Sequence, residues 1–284
     1  MEHTYRLVIA CPDRVGIVAR VSQFIAEYGG WVTDASYHAD QETSWFYMRN
    51  EIKADSLSIG IREFKTAFES VAKEYAMEWF INDSTVRKNV AIMASHASHC
   101  LAELLYRWHS GDLFCNIPCV IANHENLREM VEWHDIPYIY IPFEKDKKQE
   151  AFEKVLITLN QYNTDTIALA RFMQILPHEI CEQYAGRVIN IHHSFLPSFI
   201  GANPYQKAYD RGVKLIGATC HYVTPQLDEG PIIEQDVIRV SHRHTKEEMV
   251  RLGKDVEKMV LARGLEAHLE DRVIVHGNKT IILE

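Results

Sequence analysis

The amino-acid sequence predicts a two-domain α/β protein, and three observations support this fold class. The chain has 284 residues, 47% of them hydrophobic, which is enough to build a large core and more than one domain. The first part of the chain follows the order β-α-β-β-α-β. From Asn89 onward strands and helices alternate, which is typical of a parallel sheet with helical crossovers. We therefore expect a small domain over residues 1–82, a polar linker over 83–88 and a larger domain over 89–284.

The elements of the first domain are predicted from the spacing of their apolar residues. A helical pattern follows the turn at residues 11–14 and stops at Gly29 and Gly30, and a second one ends at Tyr75. Two apolar runs around the polar residues 39–42 have the pattern of a β-hairpin. The predicted order is strand 5–10, helix 15–28, strands 31–38 and 43–51, helix 59–75 and strand 78–81.

The second domain is predicted from short apolar runs that alternate with helical patterns. The expected elements are strands 90–94, 119–122, 138–141, 166–170 and 188–191 with helices near 100–108, 127–133 and 150–162, followed by strands 214–223 and 231–240, helix 246–270 and a terminal hairpin of 273–276 and 280–283. Ligands of open α/β sheets bind at the carboxyl ends of the strands. The strand 188–191 has such an end beside His192.

Composition and charge exclude several classes of partner. The net charge of −9 provides no basic surface of the kind that nucleic-acid-binding proteins carry. The sequence begins without a signal peptide, and no apolar run reaches the roughly 18 residues of a membrane span, so we expect a cytoplasmic protein with no membrane partner. Six cysteines without a CxxC pair agree with a reducing compartment. Several histidines are close in sequence, but none has zincin spacing, and no metal is predicted.

The run of residues 188–199 carries the strongest chemical signal. Asn190 and His192 are two positions apart on a strand and therefore point to the same face. A carboxamide and an imidazole at the end of a strand suit acyl chemistry, because one can stabilise an oxyanion while the other moves a proton. Asp228, in a polar turn between two apolar strands, is the candidate third member.

These residues lie in longer motifs that resemble known families. The run 190–201 (NIHHSFLPSFIG) and the run 228–233 (DEGPII) are similar to the catalytic motif of the folate-dependent formyl transferases and hydrolases. The run 13–19 (DRVGIVA), directly after the first strand, resembles the fingerprint of an ACT domain. An ACT domain followed by this larger domain resembles the formyltetrahydrofolate deformylase family over essentially the whole chain.

The resemblance implies a fold and a reaction. The first domain is expected to be a ferredoxin-like ACT domain, and the second a Rossmann-like, mostly parallel formyltransferase-type domain. The implied reaction is hydrolysis of 10-formyltetrahydrofolate by water to formate and tetrahydrofolate without a further cofactor, which supplies formate for purine synthesis and balances the one-carbon folate pool. Asn190, His192 and Asp228 match the catalytic residues of the family. The implied substrate-binding residues are Met173, Gln174, Ile175, Leu176, His193, Gly201, Val223 and Thr224.

The ACT resemblance also implies an effector and an oligomer. Asp13, Arg14 and Gly16 lie at a strand-to-helix turn, where a helix N-terminus favours the carboxylate of an amino acid. Glycine and methionine are the expected effectors, since both are linked to the one-carbon pool. Pairing through sheet edges or helices, which is typical of ACT domains, implies a homo-oligomer.

Several alternatives remain open from the sequence. Residues 95–100 lack the glycines that cradle a phosphate in the transferases, which favours water as acceptor over a small amine. A protein that senses amino acids and only holds folate is a further alternative. His193 and His221 can each serve the site or be ordinary strand histidines. Either His192 or Asp228 can accept the proton of the water, because their titrations are coupled.

Overall fold

The structure is a computed structural model that describes residues 2–197 and 204–284. It divides the chain into two units, which differ from the predicted domains at the C-terminus. One unit contains the residues up to Arg87 together with Glu270–His276 and Thr280–Glu284, and the other contains Lys88–Leu269 and Gly277–Lys279. The prediction assigned all of 270–284 to the larger domain, and this boundary needs correction.

The first unit is an antiparallel sheet with two helices, in the predicted βαββαβ order. The strand order is β2-β3-β1-β4. The elements are β1 (Thr4–Pro12), α1 (Ile17–Glu27), β2 (Val32–Asp40), β3 (Trp45–Lys53), a 3-10 turn (Ala54–Ser56), α2 (Ile61–Glu74) and β4 (Glu78–Asp83). Helix α1 begins later than predicted because Gly16 precedes it in the left-handed region, with a φ of 97°.

Each face of this sheet has a different cover. On one face Leu7 and Ile9 of β1 pack with aromatic residues of the helices, among them Phe24 and Phe64, whose ring centroids are 5.2 Å apart. The other face is covered by C-terminal residues. Leu283 packs there with the fully buried Tyr47. The C-terminal hairpin consists of β12 (Val273–His276) and β13 (Lys279–Ile282).

A buried arginine ties the C-terminal residues to the first sheet. Arg49 of β3 is only 3% exposed, and its Nη2 donates to the backbone carbonyl of Glu270 over 3.1 Å. Asn82 of β4 donates to the Asp271 carboxylate over 2.9 Å. These contacts explain why the structure groups the C-terminal residues with the first unit.

The second unit is built on a seven-stranded sheet in the order β11-β10-β9-β8-β5-β6-β7. The five strands from β7 to β9 are parallel, whereas β10 is antiparallel to both β9 and β11. This confirms the mostly parallel α/β fold. The strands are β5 (Val90–Ala94), β6 (Val120–Ala122), β7 (Tyr138–Tyr140), β8 (Thr166–Ala170), β9 (Val188–His192), β10 (Leu215–Tyr222) and β11 (Ile232–Arg239).

The helices of this unit include two short ones that the sequence did not predict. These are α6 (His178–Gln183) and α7 (Pro204–Arg211). The others are α3 (His99–Ser110), α4 (Arg128–Glu132), α5 (Lys148–Gln161) and α8 (Lys246–Leu269). Within residues 2–197 and 204–284, no helix combines the length and the apolar character that crossing a membrane requires.

The loop between β10 and β11 closes through a very tight backbone approach. A side chain at Gly230 would place its Cβ against the carbonyl oxygen of Tyr222, which is backbone and cannot rotate away. The amide of Tyr222 also donates to the carbonyl of Pro231 over 2.9 Å. The course of this loop therefore requires glycine at position 230.

We expect Gly230→Ala to lower the thermal unfolding midpoint of the protein. Relief of the overlap with Tyr222 has to shift backbone, and overpacking of this kind costs about 1–3 kcal/mol. Differential scanning calorimetry measures the change, with Glu229→Ala at the exposed neighbouring position as the control. An equal midpoint for both variants would contradict the requirement for glycine.

Candidate active site

Strand β9 presents Asn190 and His192 toward the same cavity, as their alternation predicts. The antiparallel neighbour β10 places His221 opposite Asn190 and Thr219 opposite His192. Residues opposite each other in an antiparallel pair lie on the same face of a sheet. Four polar side chains are therefore collected on one face at the carboxyl end of β9.

The side chain of Asp228 joins this group from the loop between β10 and β11. Its Oδ1 lies 3.3 Å from Nδ1 of His192, and the histidine is only 6% exposed. The hydrogen bond from His192 holds the pKa of Asp228 below its ordinary value, against the opposing effect of burial. The aspartate is therefore ionised at neutral pH, and its hydrogen bond places a proton on Nδ1 of His192.

His192 has its other ring nitrogen available for chemistry. Nε2 is buried and has no hydrogen-bond partner among the residues that the structure describes. With Nδ1–H directed at Asp228, a neutral imidazole carries a lone pair on Nε2. The pair can therefore accept a proton at this nitrogen and stabilise the imidazolium that results.

His221 fixes the orientation of the Asn190 amide. Its Nδ1 lies 2.9 Å from the backbone carbonyl of Tyr222, which can only accept, so this nitrogen carries the proton. Burial lowers the pKa of His221 and keeps the ring neutral. Nε2 consequently accepts from Nδ2 of Asn190 over 3.2 Å. The second N–H of that amide is left to stabilise a ligand oxygen, so His221 orients Asn190.

The cavity beside these residues has a volume of about 580 Å³. This lies within the range of about 300–1,000 Å³ that small-molecule sites occupy. Met173 and Ile175 are 59% and 68% exposed and offer apolar surface to a ligand. The lining contains all but one of the predicted substrate-binding residues, namely Met173, Gln174, Ile175, Leu176, His193, Val223 and Thr224. The remaining one, Gly201, lies outside the described residues.

His193 is held in a neutral form at the edge of the same cavity. Burial disfavours its charged form, and the nearby Arg171 cation adds to this effect, which together lower the pKa of His193 to about 4. Its Nδ1 is buried and lacks a hydrogen-bond partner within the described part of the chain. A neutral ring at this position can accept a hydrogen bond from water or from a ligand.

The predicted effector residues lie in the first unit, at the turn before α1. Asp13, Arg14 and Gly16 are all exposed. Arg14 is held by the end of α2, where its guanidinium donates to the carbonyl of Glu74 and lies 4.0 Å from the ring centroid of Tyr75. The guanidinium is therefore already engaged within the unit.

One buried polar group beside the cavity was not predicted from the sequence. Glu257 of α8 is 1% exposed and contacts His99, Arg171 and Tyr205. His99, Cys100 and Glu257 also bring ligand atoms within 4.8 Å of one another, a spacing that could suit a metal ion. Arg171 already supplies a positive charge to this carboxylate at 3.3 Å, so the cluster is an ion-pair network as it stands. Glu257 is 158 residues from His99 in the sequence. The sequence predicted the helix that contains Glu257 but gave no signal for its buried contacts.

The family described as formyl transferase matches residues 88–265. The chain is 50% identical to the formyltetrahydrofolate deformylase of Bacillus subtilis (strain 168), over 99% of this chain and 94% of the relative. It is 40% identical to the formyltetrahydrofolate deformylase of Haemophilus influenzae, over 98% of each chain.

Solved structures of deformylases and of formyltransferases are also similar to this chain. A formyltetrahydrofolate deformylase from Pseudomonas syringae pv. tomato superimposes with a TM-score of 0.98 at 60% identity, covering 100% of this chain and 95% of that one. A phosphoribosylglycinamide formyltransferase from Anaplasma phagocytophilum gives a TM-score of 0.63 at 28% identity, covering 69% of this chain and 95% of that one.

Acid should destabilise the folded protein partly through His193. The folded state keeps this ring neutral down to about pH 4, whereas an unfolded chain protonates it near its ordinary value of 6.5. The unfolded state therefore binds more protons between these values, and stability falls as the pH drops through this window. The whole effect is on the order of 3 kcal/mol below that window.

We expect His193→Gln to remove part of this acid sensitivity. Urea unfolding at about pH 7 and about pH 4.5 gives the change in the free energy of unfolding for each protein. The exposed His242→Gln serves as the control and should keep the wild-type pH dependence. A His193→Gln variant that loses as much stability as the wild type on acidification would show that the ring is not buried neutral.

Proposed function

The chain belongs to the formyltetrahydrofolate deformylase family, and on this premise we propose that it hydrolyses 10-formyltetrahydrofolate to formate and tetrahydrofolate. The observation that carries the proposal is the convergence of Asn190, His192 and Asp228 on one cavity, with His192 and Asp228 only 3.3 Å apart. Formyl transfer to a small amine is not favoured, because full-length relatives at 38–50% identity are named as deformylases.

The arrangement supplies the groups that hydrolysis of a formamide requires. The oxygen of a water molecule bonds to the formyl carbon and places negative charge on the formyl oxygen. The free N–H of Asn190 donates to this oxygen, and removal of one such donor typically costs about 2.7–4 kcal/mol in an enzyme. The orientation that His221 imposes on the amide keeps this donor in place before the substrate arrives.

Proton transfer is assigned to the His192–Asp228 pair. The pair takes a proton from the attacking water, since Nε2 of His192 has a lone pair and Asp228 is ionised. The pair passes this proton to the nitrogen N10 as the bond between N10 and the formyl carbon breaks, and formate and tetrahydrofolate leave. The balance is one water consumed for one formamide bond cleaved, and no redox partner is required.

The apolar part of the cavity is proposed to bind the folate ring system. Met173 to Leu176 follow β8, and Val223 and Thr224 follow β10, so both segments are fixed to the central sheet. The backbone N–H of Met173 donates to Oγ of Ser95 over 3.0 Å, and this hydrogen bond restricts the backbone at the start of the segment. His193, which is neutral and without a protein partner at Nδ1, is assigned to hold the attacking water.

The first unit is proposed to be an ACT regulatory domain in a homo-oligomer. Its βαββαβ order and the exposed turn at Asp13, Arg14 and Gly16 support binding of an amino acid such as glycine or methionine. A cytoplasmic location is supported by the six cysteines, which lie within the described residues and form no disulfide bond. The formate released would then serve purine synthesis and the one-carbon folate pool.

One assay tests both the reaction and its regulation. Purified protein is incubated with 10-formyltetrahydrofolate and no amine, and formate and tetrahydrofolate are followed with and without glycine or methionine. Equimolar formate and tetrahydrofolate are expected in the absence of any acceptor. Folate binding without turnover would refute the reaction, whereas a rate that neither amino acid changes would refute only the effector assignment.

Asp228→Asn should lower kcat by about 10²–10⁴-fold, the usual range for loss of general acid–base catalysis. The amide cannot accept the proton or stabilise the imidazolium of His192, while the apolar walls that bind substrate stay intact. KM should therefore change little. Steady-state kinetics of formate release measures both constants, with the exposed Asp255→Asn of α8 as the control. A KM effect without a kcat effect would reassign Asp228 to binding.

A further inference from the structure

A cluster of buried polar side chains lies around Glu257 and borders the catalytic cavity. Oε1 of Glu257 accepts a hydrogen bond from the Tyr205 hydroxyl over 2.5 Å. Oε2 lies 2.7 Å from Nε2 of His99 and 3.3 Å from Nε of Arg171. These four residues, here called the Glu257 cluster, come from α3, the end of β8, α7 and α8. One carboxylate thus joins four separate parts of the second unit.

The carboxylate of Glu257 is charged although it is buried. Burial by itself would raise the pKa of Glu257, but the hydrogen bond from His99 and the charge of Arg171 outweigh this and lower it. Burial and the neighbouring carboxylate in turn raise the pKa of Tyr205, so its hydroxyl keeps its proton and donates. Both carboxylate oxygens of Glu257 therefore have a partner.

Two members of the cluster also form part of the cavity wall. Arg171 and Tyr205 line the cavity that contains Asn190, His192 and Asp228. The ring of His193 contacts both Tyr205 and His192: its centroid is 6.1 Å from that of Tyr205 and 5.3 Å from that of His192. Glu257 contacts both of these wall residues, and its charge also acts on the nearby His193.

The wall is held with little freedom to move. The ring of Tyr205 lies directly against α8 at Gly253, where the Cβ of any other residue would overlap it. Arg171 has a φ of 63°, in the left-handed region that non-glycine residues seldom adopt. A buried ion pair is also no more stabilising than apolar packing of the same volume. A strained backbone and a buried charge beside a catalytic cavity indicate that the position of this wall matters to the reaction.

We propose that Glu257 fixes Arg171 and Tyr205 as a wall that leaves room for water at the formyl carbon and excludes an amine acceptor. This inference rests on the proposed hydrolase function. The related fold includes a protein named as a formyltransferase, so the sheet and its helices do not by themselves choose the acceptor. Any amine is larger than water, and a fixed wall rejects it by steric exclusion.

The test measures how the formyl group is divided between water and an added amine. Wild type and variants are incubated with formyl-labelled 10-formyltetrahydrofolate and glycinamide, and labelled formate and N-formylglycinamide are quantified. In the transfer reaction the amine nitrogen bonds to the formyl carbon, the N10–carbon bond breaks, and the proton of the amine passes to N10. The ratio of the two products comes from active molecules alone, so it does not depend on how much of a variant folds.

Two variants should change this ratio and two should not. Tyr205→Ala opens the wall, and a pocket that loses a steric block gains about 10–200-fold for the excluded substrate. Glu257→Gln keeps the shape but leaves Arg171 without its charge partner, and should raise the amine product by a smaller factor of about threefold or more. Tyr209→Ala on the exposed side of α7 and Glu247→Gln on the exposed side of α8 should match the wild type.

The outcomes separate this inference from the proposed function. A wild type that releases no formate without amine refutes the hydrolase assignment itself. A wild type that hydrolyses, together with active Tyr205→Ala and Glu257→Gln variants that form no more N-formylglycinamide than the wild type, refutes the role of the wall. Should Tyr205→Ala yield no folded protein, the isosteric Glu257→Gln decides.

Discussion

The hydrogen bond between His192 and Asp228 joins two parts of the chain that the strand register alone would keep apart. Strand β10 runs antiparallel to β9 and ends opposite Ile189, away from His192. The loop that follows must return over the face of the sheet for Asp228 to reach His192 at 3.3 Å. The same loop supplies residues of the cavity wall. This one contact therefore brings the proposed catalytic pair together and places the loop along the cavity.

The antiparallel pairing of β10 also determines what Asn190 can do. It places His221 opposite Asn190, and the carbonyl of Tyr222 selects the tautomer that accepts from the amide. Of the two hydrogens on Nδ2, one is used in this way, and the other is directed by the planarity of the amide. The change of strand direction at β10 is thus part of the active site.

Apart from the short helices α6 and α7, the order of elements could be predicted from the sequence, and so could the side chains that meet in the candidate site, because both leave local signals. Alternation on a strand placed Asn190 and His192 on one face, and the motif pointed to Asp228. The packing of the C-terminal residues on the first sheet left no such signal, because the sequence of a terminal hairpin does not indicate which surface the hairpin packs against. Glu257 was missed for the same reason. Its partners lie 52, 86 and 158 residues away, and only the packed structure brings them to one carboxylate.

Catalytic residues that act on a formyl group cannot by themselves decide where the group goes. Water and an amine add to the same carbon, generate the same oxyanion and require the same proton transfers, so the proposed catalytic residues Asn190, His192 and Asp228 would serve either acceptor equally well. The choice between water and an amine must therefore depend on the space available at the formyl carbon. A cavity wall can exclude an amine only if its side chains do not move aside. A wall of flexible apolar side chains would move aside for a small amine at modest cost. Displacing Arg171 or Tyr205 would instead take one of its partners from the buried Glu257 carboxylate, which costs more free energy than moving an apolar side chain. Burial of charge behind the cavity is therefore a physical means by which this fold can restrict its acceptor to water.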